Sequence, residues 1–121
     1  MTEILVVDDN KDTVDLITTI LEQYGFKVTR AYNGEEALKK ISKKIPDLIS
    51  LDIMMPGLSG WDVYERIKKD YDHDTKVIFL SALEISNQRK KQLEKEGVKD
   101  YIVKPFTSEQ LIKNIQIALK N

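Results

Sequence analysis

Apolar runs of strand length alternate with stretches of helical period along the whole chain. Ile4-Leu5-Val6-Val7, Val77-Ile78-Phe79-Leu80 and Tyr101-Ile102-Val103 are unbroken apolar runs, as strands need when crossover helices bury both their faces. They predict strands at or near the centre of a sheet. Phe26-Lys27-Val28-Thr29-Arg30-Ala31-Tyr32 alternates apolar and polar residues instead, which predicts an edge strand exposed on one side. Including Asp47-Leu48-Ile49-Ser50-Leu51, strands are expected near 3–8, 27–32, 47–52, 76–81 and 100–104.

Between them lie helical patterns. Val14, Ile17, Leu21 and Tyr24 recur at spacings of three and four and stop at Gly25, a good helix-ending residue. A second helix follows Asn33-Gly34, with Ala37, Leu38 and Ile41 inward and Glu35-Lys39 and Glu36-Lys40 pairs on its exposed side. Val63, Ile67 and Tyr71 mark a third helix; Leu111, Ile112, Ile115, Ala118 and Leu119 mark the last. The fourth helical stretch, from Ser86 to Glu96, holds a single apolar residue, Leu93. With so little to bury, it is expected to be the most easily displaced element. Five strand-then-helix units without a linker or repeat predict one doubly wound parallel α/β domain over 1–121.

In such sheets ligands bind beyond the carboxyl ends of the strands, where connections diverge to opposite faces. Asp8-Asp9, Asp52, Ser81 and Lys104 each follow a predicted strand, so the topology would gather three carboxylates, a hydroxyl and an ammonium at one edge. Like charges ~4 Å apart repel by roughly 1 kcal/mol in water and about 4 kcal/mol at an effective dielectric of 20. A cation is therefore expected there. Few protein ligands, all oxygen, suit Mg²⁺, with Mn²⁺ as a substitute. Lys104 offers a compact charge for a carboxylate or phosphoryl oxygen, and Lys104-Pro105 is a candidate cis bond. Taken singly, these residues have plainer readings: Asp9 or Asn10 as a helix cap, serine or proline as a strand end.

Composition narrows the chemistry. Of 121 residues, 19 are basic and 20 acidic, so the weak overall field does not favour nucleic acid as a partner. There is no cysteine and one histidine, His73, which excludes thiol chemistry and His-pair metal motifs. His73, in Asp70-Tyr71-Asp72-His73-Asp74, reads as a solvated loop residue, and Arg89-Lys90-Lys91 as a solvated helix face. Trp61 is expected to pack beside the third helix, near the Asp52 loop. No apolar run approaches the ~20 residues of a membrane span, and Met1-Thr2-Glu3 lacks the basic flank of a signal peptide. A cytoplasmic protein without membrane insertion is expected.

Four segments together carry a family resemblance: Leu5-Val6-Val7-Asp8-Asp9, Leu51-Asp52 through Met55-Pro56-Gly57 to Gly60, Leu80-Ser81-Ala82, and Gly97 through Tyr101 to Lys104-Pro105-Phe106. The chain resembles, end to end, the receiver domain of two-component response regulators. That resemblance implies a flavodoxin-like fold, a five-stranded parallel sheet of order 2-1-3-4-5 with five helices. It implies Asp52 as phosphoacceptor from the phosphohistidine of a histidine kinase or phosphotransfer protein. Mg²⁺ would be held by Asp9, Asp52 and the Met54 carbonyl, with Asp8 on a coordinated water; Lys104 and Ser81 would hold phosphoryl oxygens. Ser81 and Tyr101 would form the switch, and the face of the fourth helix, fifth strand and fifth helix would meet an output partner, with no direct nucleic-acid binding by this domain. Such a domain catalyses only its own phosphorylation and dephosphorylation.

Three details qualify the resemblance. Met54 and Leu83, two positions after Asp52 and Ser81, cannot orient an attacking water, which predicts slow loss of phosphate. Met54 also stands where phosphatases of the haloacid dehalogenase type carry an acid/base carboxylate, which disfavours turnover hydrolysis. Asn114 replaces the arginine usual on the last helix in the winged-helix branch, removing a charge from that branch's dimer interface. A flavin site is disfavoured because Asp8-Asp9-Asn10-Lys11-Asp12 would repel a phosphate. The remaining alternative is a receiver fold that binds partners independently of phosphorylation.

Overall fold

The computed structural model describes residues 1–71 and 75–120; the reading of His73 falls outside them. Five strands, β1 (Glu3–Val7), β2 (Lys27–Ala31), β3 (Leu48–Leu51), β4 (Lys76–Ser81) and β5 (Asp100–Val103), alternate with α1 (Lys11–Gln23), α2 (Gly34–Lys43), α3 (Gly60–Tyr71), α4 (Asn87–Lys95) and α5 (Ser108–Lys120). All strand pairs are parallel, in the order β2-β1-β3-β4-β5. The flavodoxin-like arrangement expected from the sequence is the one found.

Strand side chains alternate between two cores because successive Cβ atoms leave opposite faces of a sheet. Leu5, Val7, Ile49, Leu51, Val77, Phe79 and Tyr101 pack with residues of α2, α3 and α4. Ile4, Val6, Leu48, Ile78, Leu80 and Ile102 pack with α1 and α5. The first crossover thus covers one face and the next covers the other, so the chain reverses direction in the sheet between β1 and β3. That divergence opens a cleft at the carboxyl ends of β1 and β3.

The helix ends follow local chemistry. Asn10, Asn33 and Ser86 cap α1, α2 and α4, their side chains accepting from Thr13 N, Glu36 N and Arg89 N. Asn10, not Asp9, is the cap of α1, which leaves Asp9 uncommitted to that role. After α1 the chain turns at Gly25, whose φ of 85° is a left-handed conformation that favours glycine.

One expectation is corrected. β5 reads as near-central but is an edge strand. Its apolar run reports coverage on both faces, by Phe79 and Leu93's cluster around Tyr101 and by α5's cluster around Ile102, and two-sided coverage does not require a neighbour on each side. β2 is the other edge, as its alternation predicted.

α4 matches its polar sequence: Leu93 is its only buried residue. Two side contacts supplement that anchor. The Arg89 guanidinium lies over the Trp61 ring, 5.1 Å from its centroid, and Glu96 accepts from Tyr64 Oη at 3.2 Å and Lys68 Nζ at 3.1 Å. Both bind α4 to α3, a link that the reading of Arg89 as solvated did not include. Leu93→Ala should lower the local stability of α4 by about 2–3 kcal/mol. Hydrogen exchange should then quicken across Asn87–Lys95 well before the strands; uniform acceleration would show that α4 unfolds only with the whole domain.

Candidate functional site

Asp8 leaves β1, Asp52 leaves β3, Ser81 ends β4 and Lys104 follows β5. Parallel pairing aligns these ends, and the divergence of α1 and α2 keeps the space above them open. Asp8, Asp52 and Ser81 are 2%, 5% and 0% exposed, whereas Asp9 projects into solvent. Carboxylate oxygens of Asp8, Asp9 and Asp52 lie within 4.8 Å of one another. Lys104 Nζ donates to Asp8 Oδ2 at 2.6 Å and stands 3.7 Å from Asp52 Oδ2. The Lys104–Pro105 bond is cis.

Each carboxylate is oriented by backbone donors. Asp8 Oδ1 accepts from Asn10 N at 3.0 Å, so both Asp8 oxygens are engaged. Asp52 Oδ1 accepts from Ile53 N at 2.8 Å and more weakly from Met54 N at 3.4 Å. Gly60 permits the loop after β3 to fold back: its N–H donates to the Ile53 carbonyl at 2.9 Å, and an added Cβ would lie 2.2 Å from the Asp52 carbonyl oxygen. No side chain other than hydrogen fits there.

Burial, then the charge of Asp8, pushes the Asp52 carboxyl above its ordinary range; Lys104, the Ser81 hydroxyl and the Met54 backbone N–H oppose that rise. One ammonium thus faces three carboxylates at this edge. Opposite ligands of Mg²⁺ at ~2.1 Å lie about 4.2 Å apart, and the three carboxylates offer oxygens within 4.8 Å of one another. Both Asp8 oxygens are already engaged, by Asn10 N and Lys104 Nζ, whereas Asp9 reaches into solvent. The donor set thus suits a hard octahedral cation.

Met54 contributes no side chain to the cluster: it is 60% exposed, and only its backbone is near Asp52. Tyr101 is also apart from the carboxylates, 5% exposed in the α2–α4 core with its ring 5.9 Å from Phe79. Its hydroxyl donates to the Leu83 carbonyl at 2.5 Å, while Leu83 N donates to Ser81 Oγ at 3.3 Å. Burial, and secondarily Asp52, pushes the Tyr101 hydroxyl up, so it remains a donor at neutral pH. The backbone of Leu83 consequently joins Ser81 to Tyr101. Sequence reasoning considered only the Leu83 side chain, and a backbone bridge has no residue signature.

A raised acid in the folded state holds its proton more tightly than the unfolded chain does, so metal-free stability falls as pH rises through the Asp52 range. Asp52→Asn should therefore stabilise the metal-free protein at pH 7 by about 1 kcal/mol, roughly 3–6 °C in Tm. Lys104→Met, which strands the buried Asp8, should cost about 3 kcal/mol. Mg²⁺ at a hundred times its Kd should raise native stability by about 2.7 kcal/mol and Asp52→Asn much less. Calorimetry with and without chelator checks the three signs; a destabilised metal-free Asp52→Asn would contradict the strain ascribed to this cluster.

The chain is 42% identical over 112 residues to the response regulator SaeR of Staphylococcus epidermidis, covering 93% of this chain and 48% of that protein. It spans about half the length of the curated relatives it matches. The receiver domain of the Francisella response regulator 1452 superposes with a TM-score of 0.88 at 37% identity, over 99% of this chain and 98% of that one. The response regulator TrrA of Thermotoga maritima, solved in complex with Mg²⁺-BeF, gives 0.83 at 36% identity, over 98% and 99%. Residues 4–116 match the response regulator receiver domain family, and with this sheet order and acidic cleft the chain belongs to the receiver domains of two-component systems.

Proposed function

We propose that residues 1–121 form a single phosphorylation-activated switch, with Asp52 as the acceptor of a phosphoryl group from a histidine kinase or histidine phosphotransfer protein. The observation that carries this reading is the setting of Asp52. Backbone N–H groups hold Oδ1, and Oδ2 faces Lys104 beside Asp8 and Asp9. In the transfer, the P–N bond of the donor imidazole breaks as a P–O bond to Asp52 forms, and the released imidazole takes up a proton. Lys104 balances charge on the transferred group, and Ser81 donates to one of its oxygens. Asp9, Asp52 and the Met54 carbonyl would hold Mg²⁺, or Mn²⁺ of the same oxygen preference, with Asp8 reaching it through water. When bound, the metal neutralises the phosphoryl oxygens. TrrA in complex with Mg²⁺-BeF supports that ligand class.

The same contacts account for a switch. When Ser81 turns toward a phosphoryl oxygen, it gives up the Leu83 N–H, and the Leu83 backbone with Tyr101 is free to rearrange. α4 begins four residues later on a single buried anchor, so a modest bias shifts its equilibrium. The face of α4, β5 and α5 then presents an altered surface to an output protein or domain. We place the protein in the cytoplasm, assign this domain no nucleic-acid contact of its own, and assign it self-phosphorylation and dephosphorylation rather than substrate turnover. Among the described residues no helix is long and apolar enough to cross a membrane.

Incubation with a small-molecule phosphodonor should yield one Mg²⁺-dependent phosphoryl adduct in intact mass, absent from Asp52→Ala. No adduct in a protein that binds Mg²⁺ would favour a phosphorylation-independent binding module. The adduct should also be long-lived, because Met54 and Leu83 offer no group to orient water. Met54→Glu should accelerate its loss about tenfold, measured as decay after donor removal; equal lifetimes would show that another group controls hydrolysis.

A further inference from the structure

The outward face of α4 carries a charge pattern that the switch mechanism does not use. Each other basic residue of the helix is turned to an intramolecular partner. Arg89 lies on Trp61 and donates to Gln92 Oε1 at 3.2 Å, and Lys90 reaches Asp100 Oδ1 at 4.0 Å. Lys91 and Lys95 have no acidic partner among the described residues. They are exposed together with Gln88 and Gln92, and these four line a shallow hollow of about 460 Å³. At 100° per residue they share the side of the helix opposite Leu93, its buried anchor.

We infer that this face docks a short acidic segment of the output partner, a deepening that rests on the proposed role of the α4–β5–α5 surface. Lys91 and Lys95 stand one helical turn apart, ~6 Å. Alternate residues of an extended chain are spaced about 6.6 Å, so two carboxylates at alternate positions match the two ammonium groups. Arg89 occupies the Gln92 carbonyl, which leaves the Gln92 amide N–H₂ facing outward to donate to a partner backbone carbonyl. Glu84 and Glu94, both exposed beside the stripe, would repel a long polyanion such as nucleic acid while leaving room for a short segment. Lys39 and Lys43 of α2 have the same spacing on an exposed helix, with Glu35 one turn before Lys39, and they provide the internal comparison for the α4 pair.

A fluorescein-labelled synthetic heptapeptide with aspartate at alternate positions serves as the probe, its asparagine counterpart as the control. Carbodiimide coupling followed by peptide mapping should place adducts on Lys91 and Lys95 at least fivefold above Lys39 and Lys43. Fluorescence anisotropy at low salt should show at least tenfold weaker binding to Lys91→Glu/Lys95→Glu, and no comparable binding of the asparagine peptide. Adducts spread evenly over exposed lysines, equal binding by the double variant, or tighter binding of a single-stranded oligonucleotide of equal charge would each overturn the inference. Peptide binding is measured without phosphodonor, and the double variant should still acquire the Asp52 adduct, so failure of docking and failure of phosphorylation read out separately.

Discussion

Everything at the functional edge depends on holding two buried carboxylates, Asp8 and Asp52, beside an exposed third with one ammonium between them. Lys104 bonds Asp8 at 2.6 Å and lies farther from Asp52, at 3.7 Å. That asymmetry leaves Asp52 the less compensated of the buried pair. A buried acid with one neighbouring cation and one neighbouring anion is held in a strained condition that added positive charge would relieve. Electrostatic strain is thus concentrated at the strand ends, and the two hydrophobic cores supply the stability that tolerates it.

The same economy appears in the path from the site to the surface. Ser81, Leu83 and Tyr101 are joined by two hydrogen bonds through one backbone unit, and that unit opens the segment leading to α4. α4 itself has one buried apolar residue and two lateral contacts to α3. An element held by few contacts is one whose position a few kilocalories per mole can reset, whereas the strands and α1 and α5, anchored by several buried residues each, stay fixed. Rigidity at the carboxylate cluster and looseness at α4 are therefore complementary parts of one arrangement.

Much of this was legible in the chain. Apolar runs marked all five strands within a residue or two, because a strand buried on both faces tolerates little else, and Gly25, Asn33 and Ser86 marked helix ends through their own backbone chemistry. The acidic residues were identifiable because they follow those runs. Strand position was less legible: β5 is as apolar as a central strand, since Tyr101 and Ile102 are each covered by a core, and a hydrophobicity pattern reports coverage without reporting neighbours. Arg89 looked solvated because sequence shows a charge but not the Trp61 ring that a different helix brings beneath it.

The order of residues by itself determined the elements, the alternation that assigns side chains to two faces, and the chemical types available at each strand end. Those are local properties, set by backbone preference and by which side chains avoid water. Tertiary structure alone decided the rest: which carboxylate Lys104 favours, that the Leu83 backbone connects Ser81 to Tyr101, and that Lys91 and Lys95 face solvent with no acidic partner among the described residues. Each depends on distances between residues far apart in the chain, and electrostatic and hydrogen-bond energies change over fractions of an ångström to a few ångströms that only packing sets.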